Sequence, residues 1–97
     1  MAVCLVMNFA GIDAKKYDAL LEHMRKSGSG PEDAPGFISH VVGFMGDNCH
    51  VVDLWESQAD FERFVEERLR PAFDKLGVSA EARVNGFEVH NTMKAKG

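Results

Sequence analysis

Apolar residues run almost without interruption through the first ten positions. Val3, Leu5, Met7 and Phe9 alternate with Cys4, Val6 and Ala10, so an extended segment here is apolar on both sides, as in a strand covered on both faces. The pattern predicts a first strand over 2–10. The period then changes, with Tyr17, Leu20, Leu21 and Met24 at i, i+3, i+4 and i+7 and Lys15, Lys16, Asp18, Glu22 and Arg25 between them. This spacing predicts an amphipathic helix with Asp13 as its N-cap. Ser27-Gly28-Ser29-Gly30-Pro31 and Pro35-Gly36 stop it and form the one long loop of the chain. Strand-like runs follow at 37–45 and 49–56, on either side of the turn residues Gly46-Asp47-Asn48, which makes the middle of the protein a hairpin.

Ser57 with Asp60 three residues on reads as a capping box in which Asp replaces the usual Glu or Gln. Phe61, Phe64, Val65, Leu69, Ala72, Phe73 and Leu76 then share one helical face, and Glu62, Arg63, Glu66, Glu67 and Arg70 cover the other. Pro71 lacks an N–H and disfavours helical geometry at Arg70, so a kink or break is expected there. Pro71 would then open a short extra helix ending at Gly77. A last strand is expected over 82–91 and a frayed tail over 92–97.

The order β-α-β-β-α-β is the split-βαβ, ferredoxin-like α+β plan, filling one domain over residues 1–97. Right-handed crossovers put both helices on one face of a four-stranded antiparallel sheet of spatial order 4-1-3-2. The other face has no helix over it, yet the strands are apolar on both sides. Packing a second copy sheet to sheet, in a two-fold homodimer, covers that surface.

Composition narrows the function. The chain has 97 residues, 45% of them apolar, enough for a single core. Eleven basic residues against fifteen acidic ones give a net charge of −4 with no basic stripe, which argues against a nucleic-acid partner. No run approaches the roughly 18 apolar residues of a membrane span, and the first residues lack a signal-peptide pattern, so the chain reads as cytoplasmic. Cys4 and Cys49 have no metal-site or redox-motif spacing and read as small buried residues. No phosphate loop, nucleophile elbow or Cys/His dyad is present.

The stretch Val52-Asp53-Leu54-Trp55-Glu56-Ser57-Gln58-Ala59-Asp60-Phe61-Glu62-Arg63-Phe64 follows Pro35-Gly36-Phe37-Ile38-Ser39-His40 and precedes Arg70-Pro71-Ala72-Phe73. Together these resemble the dimeric α+β-barrel superfamily, in particular its small antibiotic-biosynthesis-monooxygenase-like proteins. The resemblance covers nearly the whole chain and implies a homodimer with facing sheets and a small-molecule pocket between sheet and helices. It also implies chemistry drawn from cofactor-free oxygenation, heme degradation, isomerisation or decarboxylation. Asn8 matches the catalytic Asn of the heme-degrading branch, but that branch's Trp and iron-ligating His fall on Phe64 and Asp74, so heme degradation is rejected. Trp55 is similar to the strand Trp of the quinone-forming monooxygenases, whose accompanying Asn falls here on Val51.

Among polar residues, Asp53 is the least expected, because a carboxylate between Val51-Val52 and Leu54-Trp55 needs hydrogen bonds or a charge partner if buried. A two-residue turn at Gly46-Asp47 or Asp47-Asn48 sets even positions of the second strand against odd positions of the third. His40 then faces Asp53 or Trp55, and all three share a side. A three-residue turn would put His40 with His50 instead. A carboxylate beside an imidazole orients the ring and suits it to act as a general base on a phenol or on a carbon next to a carbonyl.

His40 and Asp53 are thus the candidate catalytic pair, with Trp55, His90, Asn8 and Tyr17 as candidate substrate-binding residues. The plainer readings are a hydrogen-bonded core His40, an Asp53 that caps an amide or meets solvent, and Trp55 and Tyr17 as packing residues. His40, Asp53 and His90 have no spacing that supports a metal, and no cofactor is implied. Two functions remain. The first is a cofactor-independent enzyme of secondary metabolism acting on an aromatic or polyketide-like molecule, by oxygenation, cyclisation or isomerisation. The second is a non-catalytic dimeric module that binds a small hydrophobic molecule or stabilises a partner.

Overall fold

The computed structural model describes residues 1–96; Gly97, the last residue of the expected tail, lies outside them. Its elements are β1 (Val3–Ala10), α1 (Ala14–Lys26), a 3-10 turn (Pro31–Asp33), β2 (Phe37–Met45), β3 (Asn48–Trp55), α2 (Gln58–Phe64), a π-helical turn (Val65–Leu69), α3 (Arg70–Leu76) and β4 (Glu81–Glu88). The four strands form one antiparallel sheet in the order β2-β3-β1-β4, the predicted order read from the opposite edge.

Register follows from the β2–β3 turn. Met45 pairs with Asn48, so the loop is the two-residue Gly46-Asp47. Gly46 has φ +62 and Asp47 does not have positive φ, the pattern of a type II′ hairpin, whose twist matches that of its strands. Even positions of β2 therefore oppose odd positions of β3, with Val42 against Val51 and Phe44 against Cys49. A bulge at Ile38 lets Phe37 pair with Trp55 while Ser39 pairs with Leu54.

Odd positions of β1 and β3 carry the core. Val3, Leu5, Met7, Cys49, Val51 and Trp55 pack with Leu20 and Met24 of α1 and Phe61 and Phe64 of α2. The helices start where the sequence places them: Asp13 accepts from the Lys16 amide (2.9 Å) and Ser57 from the Asp60 amide (3.1 Å). Asp60 does not reach back to the Ser57 amide as a longer Glu would. Instead it accepts from the Ser57 hydroxyl (2.9 Å) and pairs with Arg63.

Pro71 interrupts the α-helical pattern and stands in the first turn of the expected short helix, here α3. It leaves the Glu67 carbonyl without a donor, and the chain widens by one residue, so the Arg70 amide donates to Val65 in a π turn and helical geometry continues to Gly77 (φ +62). The last strand is shorter than expected. Glu88 already pairs with Val3, the first residue of β1, and a final bond from the Val89 amide to the Ala2 carbonyl (2.8 Å) exhausts the partner strand. The opposite sheet face has no helix over it, and it exposes Val6, Val41, Val52 and Phe87. No helix is long and apolar enough to cross a membrane among the described residues.

Candidate active site

His40 lies on the edge strand β2 and Asp53 opposite it on the inner strand β3. That placement explains their unequal burial. Asp53, flanked on both sides by strands and covered by helices, is 4% exposed, while the His40 side chain keeps 24% of its surface in solvent. His40 Nδ1 is 2.6 Å from Asp53 Oδ1. The other carboxylate oxygen accepts from Trp55 Nε1 at 3.1 Å, since residues two apart in a strand share a face. On the far side of the imidazole, Nε2 is 2.7 Å from the hydroxyl of Tyr17, which α1 brings over the sheet.

Four side chains from three elements thus form one line, Trp55–Asp53–His40–Tyr17. An ionised Asp53 carboxylate only accepts, and this sets the direction of the line. A buried carboxylate is tolerated when its oxygens are satisfied, and Asp53 as an anion accepts from Trp55 on one oxygen and from His40 Nδ1–H on the other. The neutral imidazole is therefore the Nδ1–H tautomer, its Nε2 lone pair accepting from the Tyr17 O–H. The Tyr17 and His40 rings are within 4° of parallel, and Phe44 meets the Tyr17 ring edge to face at 5.8 Å. Burial, then the neighbouring Cys49 and Asp53, push the Tyr17 phenol above its usual value and favour its neutral form. Burial likewise raises the Cys49 thiol.

Tyr17, His40, Asp53 and Cys49 line one end of a cavity of about 80 Å³ whose other walls are apolar, among them Leu21, Leu69 and Phe73. Phe61, Phe64 and Phe73 form its walls without filling it. This volume is about half that of the roughly 150 Å³ apolar cavity that admits benzene, so a ring-sized ligand needs flexible walls to yield. Pro31 of the 3-10 turn and Leu69 of the π turn stand on that lining. Arg68 ties the two segments together by donating to the Gly30 carbonyl (2.8 Å) and pairing with Asp33.

Three of the expected substrate-binding residues do not reach this cavity. Trp55 is fully buried, its faces and edges taken up by Phe37, Phe61 and Phe64 at 5.5, 6.0 and 5.0 Å between ring centroids, so it has no surface free for stacking. Asn8 is an even position of β1 and points away from the helices. It lies between His50 and Arg83 in the cross-strand row and borders a separate polar depression with Asn48 and Glu81. His90 lies beyond the end of β4 and is exposed. No group of three His, Cys, Asp or Glu side chains is disposed to hold a metal among the described residues.

Asp53→Asn should flip the imidazole without unfolding the chain. Asn offers one acceptor oxygen, and with that held by Trp55 its amide N–H faces Nδ1, forcing the proton to Nε2. Ring ¹⁵N shifts of His40 should show the exchange, and persistence of the Nδ1–H form would refute the polarity assigned above. Tyr17 is the single tyrosine, so tyrosinate absorbance reports it alone, and its midpoint should lie above the usual value of about 10. A raised phenol pKa contributes stability that is present below that value and is lost as pH rises through the folded-state pKa. Alkaline denaturation curves should therefore fall more steeply for the natural chain than for Tyr17→Phe.

No protein-family profile and no curated protein matches the sequence. Solved structures do match over nearly the whole chain. SnoaB, a cofactor-independent oxygenase from Streptomyces nogalater, superposes with a TM-score of 0.67 at 18% identity, covering 97% of this chain and 98% of that one. A candidate antibiotic biosynthesis monooxygenase from Chloroflexus aurantiacus gives 0.66 at 15% identity over the same shares, 97% and 98%. Rv0793 from Mycobacterium tuberculosis gives 0.71 at 12% identity, covering 97% and 100%. At these identities the shared property is the fold: the chain has the ferredoxin-like α+β architecture of the antibiotic-biosynthesis-monooxygenase-like proteins.

Proposed function

We propose that the chain is a cofactor-independent enzyme of the oxygenase kind, which removes a proton from an aromatic or polyketide-like small molecule so that the resulting anion reacts with dioxygen. The observation that supports this is a carboxylate-held imidazole at the one polar end of an apolar cavity. An apolar ring occupies the walls, its acidic O–H or C–H meets the Tyr17–His40 end, and Asp53 stabilises the imidazolium that forms. The electron-rich anion then reduces dioxygen, one oxygen atom ending on the ring and the other leaving as water with the two hydrogens the substrate loses. No metal or flavin is required, because the anion itself supplies the electrons. The likeness in fold to SnoaB, itself a cofactor-independent oxygenase, adds support.

The cavity volume of about 80 Å³ favours a second reading, a module that holds a small hydrophobic ligand without converting it, since ordinary ligand sites are about 300 Å³ or more. Oxygen uptake with hydroxylated aromatic polyketide precursors separates the two. On the enzymatic reading uptake accompanies substrate loss, and His40→Ala lowers kcat/KM by about 10²- to 10⁴-fold. Substrate loss without oxygen uptake points to cyclisation or isomerisation. A precursor that raises the melting temperature yet is recovered unchanged supports the binding module, and full activity in His40→Ala removes the proposed base.

We further propose that the working form is a homodimer joined through the helix-free sheet face. Val6 and Val41 flank Val52 across neighbouring strands there, an apolar patch exposed to water in a single chain. Sedimentation velocity should give a dimer at micromolar concentration, and dilution to monomer should lower thermal stability. Val52→Glu, with a carboxylate at the centre of the patch, should yield monomer; a natural chain that is already monomeric, or a Val52→Glu dimer, overturns the assignment.

A further inference from the structure

Both ring nitrogens of His40 are already engaged, Nδ1 with Asp53 and Nε2 with Tyr17. No imidazole lone pair is left to meet a substrate. With the ionised Asp53 carboxylate accepting from Nδ1–H, the neutral imidazole has its lone pair on Nε2, and the Tyr17 hydroxyl donates to it. The lone pairs of Tyr17 Oη are then the free acceptor at the end of the line. Tyr17 itself stands on the cavity wall, on α1, with its ring held by the edge of Phe44.

We propose that Tyr17, rather than His40, is the catalytic residue that takes the substrate proton, with His40 as the store behind it and Asp53 and Trp55 as positioning residues. This deepens the enzymatic reading and rests on it. In the step, the substrate O–H or C–H bond breaks and its electron pair stays on the substrate. The proton bonds to Tyr17 Oη, the phenol's original proton passes to His40 Nε2, and Tyr17 ends neutral as it began. The products are a substrate anion and an imidazolium paired through Nδ1–H with the Asp53 carboxylate, so charge and protons balance with no further reactant.

Two further observations fit a shuttle. The environment favours the neutral phenol, so Tyr17 passes protons without standing as tyrosinate at ordinary pH. The charged and titratable groups around it, namely His40 from β2, Cys49 and Asp53 from β3, and Asp18 and Arg25 from its own helix, include none that replaces His40 as an acceptor at hydrogen-bonding distance.

The probe is 4-nitrophenol, a small phenol acidic near neutrality whose anion is visible by absorbance. Bound to the natural chain, its ionisation should be favoured about tenfold over the free probe, one pKa unit. Tyr17→Phe and His40→Gln should each bind the probe but lose that shift, and with a converted substrate each should lower kcat/KM by about 10²-fold or more.

If Tyr17→Phe ionises the probe as the natural chain does while His40→Gln does not, His40 is the direct base: this inference falls and the enzymatic reading stands. If both variants ionise it normally, or the natural chain neither binds nor ionises it, both fall. Trp55, the single tryptophan, reports by its emission whether each variant is folded. Should Tyr17→Phe not fold, 3-fluorotyrosine at the single tyrosine keeps ring and hydroxyl while making the hydroxyl more acidic. The pH profile of bound-probe ionisation should then move, and an unchanged profile overturns the shuttle.

Discussion

The buried carboxylate of Asp53 is the constraint around which the site is arranged. Removing an ion of this kind from water costs several kcal/mol even after relaxation, and charge-assisted hydrogen bonds return about 1.5–3 kcal/mol each. With two such bonds, one to Trp55 and one to His40, the anion is held. The same two bonds fix the orientation of an indole in the core and of an imidazole at the sheet edge. Stability and chemistry draw on one group here, and any change to Trp55 reaches His40 through it.

The geometry also divides labour between layers. The sheet supplies the rigid part, with Asp53 and His40 locked by cross-strand register. Helix α1 supplies Tyr17, and the π turn and the 3-10 turn supply Leu69 and Pro31 of the wall, tied to each other by Arg68. Widening at Val65–Leu69 is the local answer to Pro71, and Leu69 on that turn borders the cavity. The irregular backbone thus lies beside the cavity, while the hydrogen-bonded line rests on the sheet and α1.

The architecture was legible from two patterns: continuous apolar runs bounded by turn residues in the strands, and the 3.6-residue recurrence from Tyr17 to Met24. The pairing of His40 with Asp53 was legible as one of two registers, since parity alone puts both on one side. The Tyr17 link was not, because a helix-to-strand contact over this sequence separation depends on how far α1 sits above the sheet, and no local pattern encodes that. Trp55 takes the plainer of its two readings, as a packing residue. Its neighbours Phe61 and Phe64 were visible as core, but the bulge at Ile38 that brings Phe37 onto the indole was not. His90 failed through length, as the end of β4 is set by where β1 begins.

The Gly46-Asp47 turn looks like an ordinary exposed loop, the kind of place where insertions and deletions are usually tolerated. In this chain it works as a parity device. A slip of the pairing by one residue would move every side chain of β2 to the opposite face relative to β3, carrying His40 away from Asp53 and Tyr17, whereas an added tip residue is harmless where the loop widens to three and keeps the pairs. What the tip protects is thus the parity of the pairing and not its own length, and a chain that lost that parity would keep the fold without the site.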